Sequence, residues 1–345
     1  MKRTSKRRMT TTTDTAKAYQ RGKDIFFYVD LFLNISFLAV FMLGGFSVQV
    51  RDWAATITSF SYLLNAIYFA VLYGLIFVLF LPVSFFQEYI WEHKFNLSTQ
   101  RVIPWLVDHS KKSLLGFILG ILVVEVVYFF LSAFTATWWI WASVFWLFLT
   151  LVLSRIMPNV IIPLFYKYSP VPDQNLRDHI LEIFQRCNVN IKDVYLINFS
   201  KETKKANAFI CGLGQSRRIV LSDTLVSNFT VPEIQTVVAH EIGHYKHRDI
   251  WRLIVVNTFF TVIGFFLMDK FLKYALMRFG LERLNDIAFL PILLLGMMGL
   301  NLIAMPFLNA FSRWMEVRAD QFSLTLTKDR ANFISMMNKL GSQNL

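Results

Sequence analysis

The stretch AHEIGHYKHRD (residues 239–249) places three of the chain's six histidines within eight residues, and two of them, His240 and His244, bracket a glutamate as H-E-x-x-H. Thr230 and Glu233 stand just upstream with the T-x-x-E spacing of a capping box, which starts a helix. Ile234, Val237, Val238 and Ile242 then recur at helical spacing. Residues four apart on a helix share a face, so His240 and His244 point the same way and can hold one ion. Glu241 lies about 100° further round and reaches that ion's open side. Two imidazoles for zinc and a glutamate that takes a proton from water are the parts of a hydrolytic metal site. The competing reading is a solvated polar helix face.

Such a site needs a third protein ligand. Downstream, EVRAD (residues 316–320) offers Glu316 and Asp320, again four apart on one helical face. Glu316 completes a two-His, one-Glu set for one zinc per chain. Asp320 can accept the outer ring N–H of a ligating histidine and fix its tautomer. The alternative is an acidic face turned to solvent. His247 is three residues past His244 and reads as a helix-end residue, while His93, His109 and His179 stand alone.

Around this motif the chain is apolar: 55% of its 345 residues are hydrophobic, and mean hydropathy is +0.46. Six runs are long enough to span a bilayer, approximately 26–48, 62–86, 113–134, 138–158, 250–270 and 287–308. A stretch of mixed charge, 159–249, separates the fourth from the fifth. Within it DVYLINFS (193–200) and RRIVLSDTLV (217–226) are strand-like, and LRDHILEIFQRCN (176–188) has helical spacing. The expected fold is an all-α polytopic membrane protein with a small α/β domain. The expected units are a basic disordered tail (1–24), amino-terminal spans (25–158), the first part of the metal domain (159–249), a transmembrane hairpin (250–308), and a third-ligand helix with a curtailed end (309–345).

Charge placement suggests an orientation. Met1–Lys23 holds eight Lys/Arg against one acid, next to the first span, so a topological or anionic-lipid role is expected and no nucleic-acid partner. A cytosolic amino terminus puts Lys94, Arg101, Lys111 and Lys112 inside, together with 159–249 and the carboxyl end. The loop 271–286, with Lys273, Arg278 and Arg283, argues the other way. The hairpin still returns Glu316 to the side that holds His240. Asp30, Asn65, Glu125, Asn257 and Asn301 lie within spans, facing either a wet lumen or other helices. Cys187 and Cys211 form no C-x-x-C pair and read as reduced structural thiols.

Taken with YIWEHKFNLST (89–99), NVIIPLFYKYSPVPD, KANAFICGLGQSRRIVLSDTLV and SRWMEVRAD, the histidine motif resembles the integral-membrane gluzincins of the CAAX prenyl protease 1 type. The resemblance runs over most of 60–330, in order. It implies about six to seven transmembrane helices around a water-filled chamber, with a zincin-like catalytic domain at the cytosolic side of an inner or endoplasmic-reticulum membrane. It implies His240, His244 and Glu316 as ligands, Glu241 as base and Asp320 behind the ligands. It also implies Asn207, Ala208 and Phe209 as the substrate edge, with Asn207 bonding substrate or the developing oxyanion; a turn asparagine is the alternative. The implied substrates are prenylated CAAX proteins or other membrane-associated peptides. Such relatives carry a carboxyl-terminal His-Pro-Pro-type element, and no histidine follows His247 here. A quality-control protease, a zinc-stabilised scaffold or chaperone and a transporter are the rival functions.

Overall fold

The computed structural model describes residues 2–212, 217–279 and 283–344. Two layers follow from the hydropathy pattern. In the membrane layer, α1 (Lys2–Leu43), α3 (Ser61–Ser84), α5 (Val102–Ala133), α6 (Trp138–Ile156), α11 (Asp249–Phe279) and α12 (Leu290–Thr327) carry the six segments long and apolar enough to cross. They are apolar nearly all round, as lipid-facing helices must be. A short helix, α2 (Phe46–Ile57), follows α1. The helices pack through Leu38, Phe41, Tyr68, Leu72, Val124, Leu131, Trp138 and Met268.

Several polar groups in this layer find protein partners. Gln87 Nε2 donates to Asp30 at 2.9 Å, and Asn65 Nδ2 approaches Glu125 at 3.4 Å. Asp269 is fully buried and accepts from Trp138 Nε1 at 2.9 Å, with Lys273 Nζ at 2.7 Å. A buried carboxylate without such donors would be costly in hydrocarbon.

The second layer is a four-stranded sheet with helices against it. Its strands are β1 (Tyr168–Pro170), β2 (Val194–Ile197), β3 (Ala208–Cys211) and β4 (Arg218–Ser222), in the order β1-β2-β4-β3. β4 pairs parallel with β2 and antiparallel with β3, which leaves β3 at an edge. Helices α8 (Gln174–Arg186), α10 (Val231–Lys246) and α13 (Arg330–Asn344) bury Leu176, Ile180, Phe184, Ile234, Val238, Ile242 and Met336 in one core with Ile219 and Leu221. Ser222 ends β4 and its Oγ accepts from Leu225 N, which starts α9 (Asp223–Asn228). The connection from α6 contains a π-helical turn and α7 (Ile162–Phe165).

The capping box at Thr230 and Glu233 forms as its spacing predicts. Its carboxylate does more than cap. Glu233 is 2% exposed and also accepts from Ser335 Oγ and Lys339 Nζ, both at 2.6 Å, tying α10 to α13. Burial alone would raise the Glu233 carboxyl, but Lys339, Ser335 and Thr230 override it and hold the pKa at about 2, below its ordinary 4.5. A depressed folded value contributes stability above the unfolded pKa and loses it as pH falls through the folded one. The contribution is therefore full above pH 4.5 and fades toward pH 2. Glu233→Gln is expected to destabilise the sheet layer by up to about 3 kcal/mol near neutrality. The gap from wild type should close in thermal melts taken across that acid window.

The structure departs from three expectations. Within the segment expected as a disordered tail, residues 14–24 are part of α1 (Lys2–Leu43) and lead directly into the first span. Tyr19 is buried, with its hydroxyl on Glu92 at 2.6 Å, a partner 73 residues away that local composition does not reveal. The segment between the second and third expected spans, 87–112, is mostly helical. A π-helical turn (Phe85–Ile90) and α4 (Trp91–Lys94) extend α3, and α5 starts at Val102, so only 95–101 is irregular. Those turns are too polar to read as span, yet the helix continues because the sheet layer receives it. The last span does not stop near 308. α12 runs unbroken to Thr327, carrying Glu316 and Asp320 on the transmembrane helix itself.

Candidate metal centre

Two helices position the site. α10 crosses α12 closely because Gly243, inside the motif, lacks a side chain. A Cβ there would lie 3.1 Å from Ala319 Cα and 3.2 Å from Phe322 Cβ. Ser323 Oγ donates to Thr236 O at 2.8 Å across the same crossing, and both residues are fully buried. Small residues thus set the spacing that brings α12's carboxylates against α10's imidazoles.

His240 Nε2 and His244 Nε2 lie 3.1 Å apart, and Glu316 Oε2 is 3.3 Å from the first and 3.7 Å from the second. Among the described residues these three form the group of His, Cys, Asp and Glu donors able to hold one ion. The outer ring nitrogens are already committed. His240 Nδ1 donates to Asp320 Oδ1 at 2.9 Å, and His244 Nδ1 donates to Asp249 Oδ2 at 3.0 Å. With protons on Nδ1, both Nε2 lone pairs face each other, a repulsive arrangement that a cation between them relieves. Zinc–nitrogen bonds of about 2.0–2.1 Å at a tetrahedral angle separate two nitrogens by roughly 3.3 Å. The donor set therefore fits such an ion. Burial and the neighbouring His244 lower the His240 pKa, against the pull of Asp320 and Glu316, favouring the neutral ring that ligation requires.

Glu241 is partly open on one side. Burial of its carboxyl, opposed by His244 and assisted by Glu316, raises its pKa to about 7. A carboxylate poised there can accept and return a proton near neutrality.

Asp249 was not singled out by sequence. It is 3% exposed and stands at the first turn of α11, where hydropathy alone starts a span at 250. Arg248, at φ 55°, takes the left-handed conformation that reverses the chain and returns Asp249 to His244. The signal available was the short spacing of Asp249 after His244. Asp249→Asn is expected to weaken metal affinity about 10- to 100-fold, measured by competition with a chromogenic chelator. His247 caps α10 and packs edge-on against Phe322 at 5.9 Å, away from the donor group, as its position suggested.

Asn207 is exposed immediately before β3. Its N–H donates to Ser222 Oγ and its Oδ1 accepts from Ala208 N, both at 2.9 Å. Ala208 and Phe209 open the edge strand, which packs against α10. Residues 213–216, beyond Gly212, lie outside the described residues.

Among the described residues, six helices long and apolar enough to cross a membrane, with a His–His–Glu donor group beside a small sheet, have the build of an integral-membrane metallopeptidase. The comparisons with known proteins narrow the class. Residues 170–341 match the profile of Peptidase family M48, and residues 5–167 match that of the CAAX prenyl protease N-terminal domain, described as five membrane helices. The chain belongs to peptidase family M48, on the branch that carries this membrane domain. Over 5–167 four described helices are long and apolar enough to cross, with α2 shorter. The chain is 29% identical to a Bacillus subtilis protein named uncharacterized metalloprotease YhfN, over 96% of this chain and 78% of that one. It is 27% identical to CAAX prenyl protease 1 of Saccharomyces cerevisiae, over 88% and 70%. The crystal structure of S. mikatae Ste24p superposes with a TM-score of 0.82 at 23% identity, covering 96% of this chain and 82% of that chain. That likeness bears out the expected helical membrane fold with its small sheet.

Proposed function

We propose that this protein is a zinc-dependent endopeptidase that cleaves near the carboxyl terminus of prenylated or other membrane-associated proteins. The observation that carries the proposal is the convergence of His240, His244 and Glu316 with both outer ring nitrogens held by carboxylates. His240, His244 and Glu316 would hold one zinc. The ion, when bound, supplies Lewis acidity toward the scissile carbonyl and toward water. Glu241 takes the proton from the attacking water and delivers it to the leaving amine. Asp320 and Asp249 keep the imidazoles in one tautomer and orientation.

The open edge of β3 can receive the peptide as an added strand. Asn207 stands at its start, where its side-chain amide can meet substrate or the developing oxyanion. The names of the yeast relative and of the matching membrane domain support a prenylated substrate. The basic amino-terminal segment supports a cytosolic site, and the contrary Lys273 is already matched by Asp269.

Cleavage of one synthetic CAAX-ending peptide, farnesylated and unfarnesylated, tests the substrate. A higher kcat/KM for the farnesylated form is expected. Equal rates would favour a quality-control protease. Zinc at one per chain without cleavage of either peptide would favour a scaffold.

A further inference from the structure

A charged knot joins the amino-terminal helix to the entry of the edge strand. Glu92, on α4 at the end of the α3 span, accepts from Tyr19 Oη at 2.6 Å and pairs with Lys23 Nζ at 2.9 Å through Oε1. Its Oε2 pairs with Lys205 Nζ at 2.9 Å, and Lys205 Nζ also donates to Tyr19 Oη at 3.0 Å. The Glu92 side chain is 13% exposed, so these contacts are shielded from the water and salt that weaken surface pairs. The helices meet here because residue 22 is glycine. A Cβ on Gly22 would lie 2.1 Å from Trp91 Cζ2.

Lys205 is two residues before Asn207 and three before β3. The segment around it is laced to 97–99, with Lys204 N on Leu97 O at 2.8 Å and Thr99 N on Glu202 O at 3.0 Å. The next residue is clamped from α13, where Ala206 N and O bond the Asn344 side chain at 2.9 and 3.0 Å. Among the described residues β3 has a strand partner on one side alone, so its entry segment must fix where the N–H and C=O groups of its other side lie.

We propose that Glu92 is a positioning residue for peptide binding: through Lys205 it fixes the register of the edge strand that receives the substrate backbone. The proposal rests on the reading of β3 as the peptide-binding edge. Removing the carboxylate leaves Lys23 and Lys205 facing each other without a counter-charge and frees the strand's entry to shift. Backbone pairing is lost with small misplacement, whereas the metal ligands on α10 and α12 stay where they are.

Steady-state kinetics on one CAAX-ending peptide and its backbone N-methylated analogue test this in the full-length protein. Glu92→Gln is expected to raise KM about tenfold, the equivalent of one charge-assisted hydrogen bond. kcat should hold within about threefold and zinc content should be unchanged. Lys205→Met, at a more exposed position, should raise KM similarly, and the double variant should be no worse than either single one. The charge-exchanged pair Glu92→Lys with Lys205→Glu should recover part of the lost affinity. A residue needed only for folding would reduce the active fraction, and so apparent kcat, with KM unmoved. That result, or additive effects of the two single variants, overturns the proposal. If the N-methylated peptide binds wild type as well as its parent does, the edge-strand reading itself fails, whatever the Glu92 variants show.

Discussion

Glu241→Gln is expected to lower kcat by about 10²- to 10⁴-fold, the range of a general acid–base group, while the protein keeps its metal and its fold. The amide has the size and shape of the carboxylate but cannot accept a proton from water. Glu241 lies beside His240, a proposed ligand, on α10 but is outside the three-residue donor group. The substitution therefore separates proton transfer from ion binding. A fall in kcat with KM nearly constant is the signature of an interaction made in the transition state. Peptide cleavage by the purified variant, with bound metal assayed on the same sample, checks it. A variant that holds metal and cleaves at the wild-type rate would remove Glu241 from the mechanism.

His244→Ala is expected to have the larger effect on the ion. It removes one of three protein donors and also leaves Asp249, 3% exposed, without the imidazole that meets its Oδ2 at 3.0 Å. Arg252 Nη1, 3.5 Å from its other oxygen, is then its remaining charged neighbour. Loss of a ligand, together with a buried carboxylate left with one long ion pair, should bring metal content to background and activity with it. Thermal stability in the presence of zinc should fall toward that of chelator-treated wild type, because ligand-linked stabilisation disappears with the binding site. Adding zinc should raise the melting temperature of wild type and leave that of His244→Ala unmoved.

Much of this centre is legible in the chain because its chemistry is local. The helix of α10 is announced by Thr230, Glu233 and the spacing of Ile234, Val238 and Ile242, and it forms where they place it. Glu316 and Asp320 could be chosen at a distance because the hairpin of spans five and six fixes their side of the membrane. The stretches 193–200 and 217–226 likewise contain β2 and β4, and 176–188 covers all of α8 but its first two residues.

What escaped depends on tertiary partners or on reversal of the chain. Asp249 opens a helix whose hydropathy says membrane, and only the left-handed turn at Arg248 brings it back to His244. Tyr19 and Lys23 look like part of a solvated basic tail until Glu92 supplies an acceptor. β1 has three residues and pairs with β2 through Tyr168, Ser169 and Pro170, too short for alternation to register. The π-helical turns at Phe85–Ile90 and Met157–Ile161 carry helix past the ends that apolar length alone would assign.

Zinc titration of metal-stripped protein, wild type against Glu316→Gln, tests most directly whether α10 and α12 share one ion. Tight binding of one zinc per chain by wild type is predicted, with affinity markedly weaker once the carboxylate on α12 is neutralised. Equal affinity in the two proteins, or no zinc bound by wild type, would contradict a centre built from His240, His244 and Glu316.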